Sequence, residues 1–162
     1  MVQLMKVDDP LSKKAIAIQK NIFNSDLSFN QLVTGENQLT EEEIIKETEE
    51  NLQLGANYYY VTKDEKYLGL MHYLPTNPHD GYTWIGLLII HKKYQKHGIG
   101  GQALKELEDK LTEDGVKKVR LCVQQKNENA VNFWQGNKFL KMHSSIDKLQ
   151  NEIDIYEKTL NE

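Results

Sequence analysis

The feature that most constrains this chain is an apolar run, Ile85-Gly86-Leu87-Leu88-Ile89-Ile90, soon followed by the glycine-rich segment Gly98-Ile99-Gly100-Gly101. The run is too short for a helix and too apolar for a strand with one wet face. It predicts a central strand, Tyr82 to Ile90, covered on both faces. Beyond it, Leu104, Leu107 and Leu111 recur at helical spacing, and Gly115 supplies a stop signal, so a helix is expected over Gly98 to Asp114. Glycines between the two elements let the backbone turn tightly and approach a ligand with no Cβ in the way. The first amides of the helix have no partner inside it, and the helix dipole is positive at that end. A phosphate or pyrophosphate fits there. Lys96 and His97 add side-chain contacts at the same turn.

Such a turn serves several ligand classes. A P-loop needs Gly-Lys-Ser/Thr, which is absent. A dinucleotide fold needs G-x-G-x-x-G near the start of the domain; here the pattern is G-x-G-G, late in the chain, with too little sequence after it for a second half. Coenzyme A remains. The glycines by themselves are also compatible with a plain helix start.

Around this core the chain alternates signals. Leu4 to Val7 reads as a short strand. Asp9-Pro10 reads as a helix start, with Leu11, Ala15, Ile18 and Ile22 as the buried stripe. Asn24 to Gly35 is mixed and is expected to be irregular or a broken helix. Thr40 and Glu43 form a capping box for a second helix, with Ile44, Ile45, Thr48 and Leu52 inside and its glutamates in solvent. Tyr58 to Thr62 and Tyr67 to Leu74 form a hairpin across Lys63 to Lys66, and Pro75 to Gly81 is a loop. Val119 to Val123 is a strand; a strand, helix and strand in that order imply a parallel pair. Asn127 caps a short helix carrying Ala130, Val131, Phe133 and Trp134, and strands Phe139 to His143 and Ile153 to Leu160 end the chain. This order predicts one α/β domain over residues 1–162, a mixed sheet with helices on both faces.

Composition excludes several classes. Of 162 residues 39% are hydrophobic and 27% charged, which suits a globular fold with a real core. No apolar run approaches the roughly 20 residues of a bilayer helix, and Met1 to Lys6 does not read as a signal peptide. The one cysteine, Cys122, forms no internal disulfide and suits a reducing cytoplasm; inside an apolar strand it reads as a buried small hydrophobe. The five histidines show no metal-ligating spacing. With 20 basic and 24 acidic residues the net charge is −4, a poor footprint for nucleic acid.

The stretch Leu88 to Gly100, a hydrophobic strand followed by Gln95-Lys96-His97-Gly98-Ile99-Gly100, resembles the acetyl-CoA-binding motif of the GNAT N-acetyltransferase superfamily. Asn127-Glu128-Asn129-Ala130-Val131-Asn132-Phe133-Trp134, then Phe139, is similar to that superfamily's second motif. The resemblance implies a mostly antiparallel twisted sheet with a parallel central pair. It also implies an acetyl-CoA-dependent transfer to a primary amine by direct attack. Carried over, it implies CoA contacts at Leu88, Ile89, Ile90, Gln95, Lys96, His97, Gly98, Ile99, Gly100, Gly101, Asn127 and Trp134, and an oxyanion-binding amide among Leu87 to Ile89. Asn127 fits a bare N-cap equally well.

Two departures matter. Trp134 stands where many relatives have a Tyr that protonates the departing thiolate, and indole cannot do so. Gly86 lies where some relatives place an acid, so no general base is evident; His72 and Tyr73 on the neighbouring strand are the candidates, with water as a relay. Trp84 is a candidate for the acceptor cleft. The acceptor is expected to be a small-molecule or peptide amine, with no nucleic acid or membrane partner, and a homodimer is compatible with the superfamily. A protein that binds acetyl-CoA as a sensor, without transfer, is the alternative.

Overall fold

Capping side chains set where the elements of the computed structural model begin, and the model describes residues 1–160. Strand β1 (Gln3–Lys6) opens the chain. Ser12, not Asp9, caps helix α1 (Lys13–Phe23), accepting from the Ala15 amide at 3.1 Å. Asp9 instead accepts from the Leu11 amide at 3.0 Å, a local turn over Pro10 that delays the helix. Leu11 therefore lies outside α1 and is exposed, and the buried stripe is Ala15, Ile16, Gln19, Ile22 and Phe23, with Ile18 only half-buried. The mixed segment holds a regular helix, α2 (Leu27–Thr34): Asp26 caps it through the Phe29 amide, and Gly35, at φ 81°, ends it. Both bonds of the expected capping box form at 3.1 Å at the start of α3 (Glu41–Gln53), whose Ile44 and Thr48 are buried.

The hairpin β2 (Asn57–Lys63) and β3 (Lys66–Leu74) closes through Asp64 and Glu65, both at positive φ, as a two-residue turn requires. There follow β4 (Thr83–Ile90), α4 (Ile99–Glu113), β5 (Lys118–Gln124), α5 (Glu128–Gly136), β6 (Leu140–Ile146) and β7 (Glu152–Thr159). Phe139, expected to start a strand, is a buried core residue just before β6, which runs on to Ile146. Among the described residues seven strands form one sheet in the order β1-β2-β3-β4-β5-β7-β6. The β4–β5 pair is parallel and the other pairs are antiparallel, which matches the mixed sheet expected from the sequence.

Two apolar clusters cover the two faces. On one, Ala103, Leu104, Leu107 and Leu111 of α4 pack on Met71, Tyr73, Ile85, Val119 and Leu121, with Trp134 of α5 alongside. On the other, Ala15, Ile16 and Ile22 of α1 and Ile44 of α3 pack on Tyr58, Tyr60, Leu70 and Ile89. The three consecutive tyrosines are all buried because strand alternation sends Tyr59 to the α4 side and its neighbours to the other. The same alternation corrects one expectation. Leu121 and Val123 take the α4 side of β5, so Cys122 faces away from it and is exposed, not buried. Among the described residues no helix is long and apolar enough to cross a membrane, and no three His, Cys, Asp or Glu side chains cluster as a metal site.

Leu107 is fully buried under the sheet. Leu107→Ala is expected to lower unfolding free energy by about 3 kcal/mol, read as a fall in urea midpoint with unchanged slope.

Candidate active site

The site begins where a sheet stops pairing. β4 and β5 are registered at Thr83↔Val119 and Trp84↔Arg120 only, although both strands run on, to Ile90 and Gln124. Past Trp84 the two splay apart, and the main-chain groups of β4 that point toward β5 have no strand partner among the described residues. Unpaired strand groups of this kind are a template for an added extended ligand.

Local geometry on each side of that point explains it. His72 pairs with Leu87 but Tyr73 pairs with Ile85, which leaves Gly86 as the extra residue of a β-bulge. A bulge bends its strand and sharpens the twist. It also switches the alternation: Ile85 faces the α4 core, Leu87 and Ile89 the α1–α3 layer, and Leu88 and Ile90 the α4 core again. The paired end is held shut. Arg120 Nε donates to Glu157 Oε2 at 2.8 Å, its guanidinium lies 3.7 Å above the Tyr82 ring, and Asp80 accepts from both Arg120 and the Trp84 indole. Trp84 is thus fixed at the closed end by Asp80, at the opposite end of β4 from Leu88, Ile89 and Ile90.

At the open end of β4 the chain turns toward α4. Gln95 Nε2 donates to the Ile90 carbonyl at 2.9 Å and to Asp26 at 3.2 Å, so its side chain closes the strand end and ties it to the start of α2. Lys96 (φ 66°) and Gly98 (φ 76°) are both left-handed, and Gly98 is the N-cap of α4 with no side-chain cap bond. The amides of Ile99, Gly100 and Gly101 therefore open the helix without a side chain in front of them. The glycines have separate reasons. Gly98 needs its positive φ, a Cβ at Gly100 would come within 3.2 Å of the Phe133 ring, and a Cβ at Gly101 would meet open space. Lys96 and His97 are exposed beside the turn, whereas the Ile99 side chain is buried in the core, leaving only its main chain for a ligand.

The second motif is mostly structural in its side chains. Asn127 Oδ1 caps α5 by accepting from the Ala130 amide at 3.2 Å. Trp134 is buried between Phe133 (4.9 Å, edge-on) and Phe139 (5.2 Å, edge-on), which gives its ring to packing.

His72 and Tyr73, adjacent on β3, point to opposite faces. Tyr73 stacks on Tyr59 at 6.1 Å within the α4-side core. His72 lies on the other face, only 7% exposed, with its ring 4.7 Å from Tyr58 and directly against Gly86. Its Nε2 is 3.4 Å from Asn51 Nδ2, which also lies 3.0 Å from the Tyr58 hydroxyl. Burial pushes the imidazole down to about 4 from an ordinary 6.5, so the ring is neutral near pH 7. Beside it lies a cavity of about 10 Å³, room for one water, whose lining includes Gln19, Glu47, Thr48, Tyr58, His72 and Leu87. Asn51 and Glu47 belong to a helix whose polar residues read as a solvated face. Only the observed packing of α3 onto the β2–β3 hairpin brings them to His72.

A histidine depressed on folding stabilises above its unfolded pKa and loses that contribution as pH falls toward the folded one. Between pH 7 and pH 4 the chain is expected to lose about 3 kcal/mol more than His72→Phe does, measured by urea unfolding across that range. Gly100→Val is expected to destabilise through Phe133 by about 1–3 kcal/mol, while Gly101→Ala leaves the urea midpoint nearly unchanged.

The acetyltransferase (GNAT) family model matches residues 22–139. No curated protein matches in sequence. Among solved structures, an acetyltransferase from Thermus thermophilus is 21% identical with a TM-score of 0.79, covering 99% of this chain and 97% of its own. An acetyltransferase from Salmonella typhimurium that modifies the N-terminal serine of ribosomal protein L7/L12 is 14% identical, with a TM-score of 0.78 over 99% and 95%. RimL, a ribosomal L7/L12 alpha-N-protein acetyltransferase solved with coenzyme A, is 16% identical, with a TM-score of 0.74 over 98% and 94%. The structural likeness, at these identities, is one of fold. With the family match spanning most of the sequence and the splayed strand and glycine turn in place, the chain belongs to the GNAT acetyltransferase family.

Proposed function

We propose that the protein transfers the acetyl group of acetyl-CoA to a primary amine, of a small molecule or a peptide, by direct attack of the neutral amine on the thioester. The observation that carries this reading is the pairing of an unpartnered β4 edge with an uncapped helix start at its open end. The amides of Ile99, Gly100 and Gly101 would hold the pyrophosphate, with Lys96 and His97 at its flank. The free edge of Leu88 to Ile90 would pair with the pantetheine arm as an added strand does. A β4 amide near the bulge would stabilise the oxyanion. The Nδ2 of Asn127 has no partner among the described residues, its Oδ1 being taken by the cap, and is available to the CoA arm. Trp134 has no part in this reading beyond packing, so thiolate leaves without a protein acid. With a thiol pKa near 8.5 that is a tolerable departure. The acetyltransferases that modify ribosomal protein L7/L12 favour a peptide amine as one acceptor class for this fold. A single cysteine suits action in the cytoplasm, and the oligomeric form is open to a homodimer.

Saturating CoA, at about a hundred times its Kd, is expected to raise the melting temperature by roughly 5–10 °C. Gly98→Val is expected to abolish that rise. Amine-dependent thiol release from acetyl-CoA tests the transfer itself; binding without release across an amine panel would turn the reading to a sensor, and no binding would remove it.

A further inference from the structure

Among the described residues the one fully sealed side-chain polar atom without a partner is Gln124 Oε1, and a ring nitrogen of a largely buried histidine reaches solvent with no partner either. His72 Nδ1 has no hydrogen-bond partner among the described residues, in a side chain only 7% exposed. The atom is aimed at a definite place. A Cβ at Gly86 would fall 2.5 Å from Nδ1 and from Cε1, against 3.7 Å from Nε2, so this edge of the ring lies over the bulge. Gly86 itself is exposed, so the bulge is open to a ligand where Nδ1 sits. A ring nitrogen that no protein group engages, and that solvent reaches over the bulge, is free to bond a ligand there.

The proton on the ring can be placed. Asn51 Nδ2 only donates, so the Nε2 facing it keeps its lone pair. A neutral ring then carries its single proton on Nδ1. The groups around it keep it neutral. Glu47 of α3 and Tyr58 of β2 are the titratable side chains lining the adjoining cavity, while α1 brings uncharged Gln19 and Phe23, and β4 brings Gly86 and Leu87. Desolvation by burial is what brings the imidazole down to about 4. With Nδ1 protonated and Nε2 occupied, His72 has no lone pair to take a proton from the amine.

We propose that His72 donates a hydrogen bond from Nδ1 to an oxygen of the acceptor, next to its amine, and so selects amines that carry a neighbouring carbonyl, as a peptide N-terminus does. This rests on the transferase reading above. The face decides which substrate it meets. Leu88 and Ile90 lean toward the α4 core, on the side of the glycine turn, whereas His72 opens with Gly86 on the α1–α3 side. The amine nitrogen must keep its lone pair for attack, so the accepting atom is a different one. A carbonyl oxygen on the adjacent carbon is within reach of the same donor. His72 is a positioning residue for the acceptor, not the base.

The test compares alanyl-alanine amide with propylamine, each expressed as free neutral amine, alongside CoA affinity. His72→Phe keeps a ring over Gly86 and removes the donor. It is expected to raise KM for the dipeptide amide about tenfold and to leave KM for propylamine and Kd for CoA unchanged. Asn51→Asp, whose carboxylate accepts from Nε2–H, is expected to move the proton off Nδ1 and cause the same selective loss. Nitrogen-15 NMR of the wild-type imidazole is expected to show the Nδ1–H form from pH 5.5 to 8. An Nε2–H form overturns the proposal. So does an equal fall of kcat for both amines in His72→Phe, which would assign the donor to the thioester oxygen. Equal wild-type efficiency on the two amines, or turnover of neither by a chain that binds CoA, also overturns it. Failure of the wild-type chain to bind CoA removes the transferase reading instead, while the NMR result on the tautomer stands by itself.

Discussion

Everything at the site depends on β4 losing its parallel neighbour after two registered pairs. A seven-stranded sheet with a continuous centre would bury the main chain of Ile85 to Ile90 and leave nothing for a ligand to pair with. Here the Arg120–Glu157–Asp80 cluster holds one end of the β4–β5 seam closed, and the bulge at Gly86 bends the other away. The glycine turn matters because it begins at the open end, bringing the uncapped amides of α4 to the same notch. The two features lie on one path: strand edge, Gln95 closing the strand, left-handed Lys96 and Gly98, helix start.

The bulge has a second effect, on the opposite face. Its extra residue is a glycine, and the ring of His72 occupies the space a side chain at 86 would take. Gly86 and His72 therefore act as a pair across two strands. A side chain at 86 would displace the imidazole, whose Nε2 lies 3.4 Å from Asn51 Nδ2, the contact on which the proposed tautomer rests. The two faces of the notch are chemically distinct as a result: main-chain amides on the α4 side, and one neutral buried donor on the α1–α3 side.

Much of this was legible in the sequence, for identifiable reasons. The apolar run, the glycines and the leucines of α4 are local signals, and the elements they predict form where expected. So does the capping box at Thr40, because both of its bonds are made within four residues. What was not legible depends on competition or on distance. Asp9 and Ser12 are both good caps, but Asp9 spends its carboxylate on the Leu11 amide in a turn over Pro10, and Ser12 caps α1. Cys122 reads as buried because its strand is apolar, but β5 has only its α4 side filled at that point. The bulge is a register shift between strands, which no single-strand pattern encodes. Asn51 sits in a helix dominated by glutamates, and it reaches His72 only because α3 packs over the hairpin that pairs Tyr58 with His72.

Hydrogen exchange at the β4 backbone, followed residue by residue with and without CoA, tests the open edge most directly. The splay predicts fast exchange, in the free protein, at those amides between Ile85 and Ile90 that point away from β3, and marked slowing when CoA is added. The amides of Thr83 and Trp84, at the closed end, should be slow in both states. Slow exchange along all of β4 without CoA, or no change when CoA binds, would contradict the claim that this edge is open and receives the ligand.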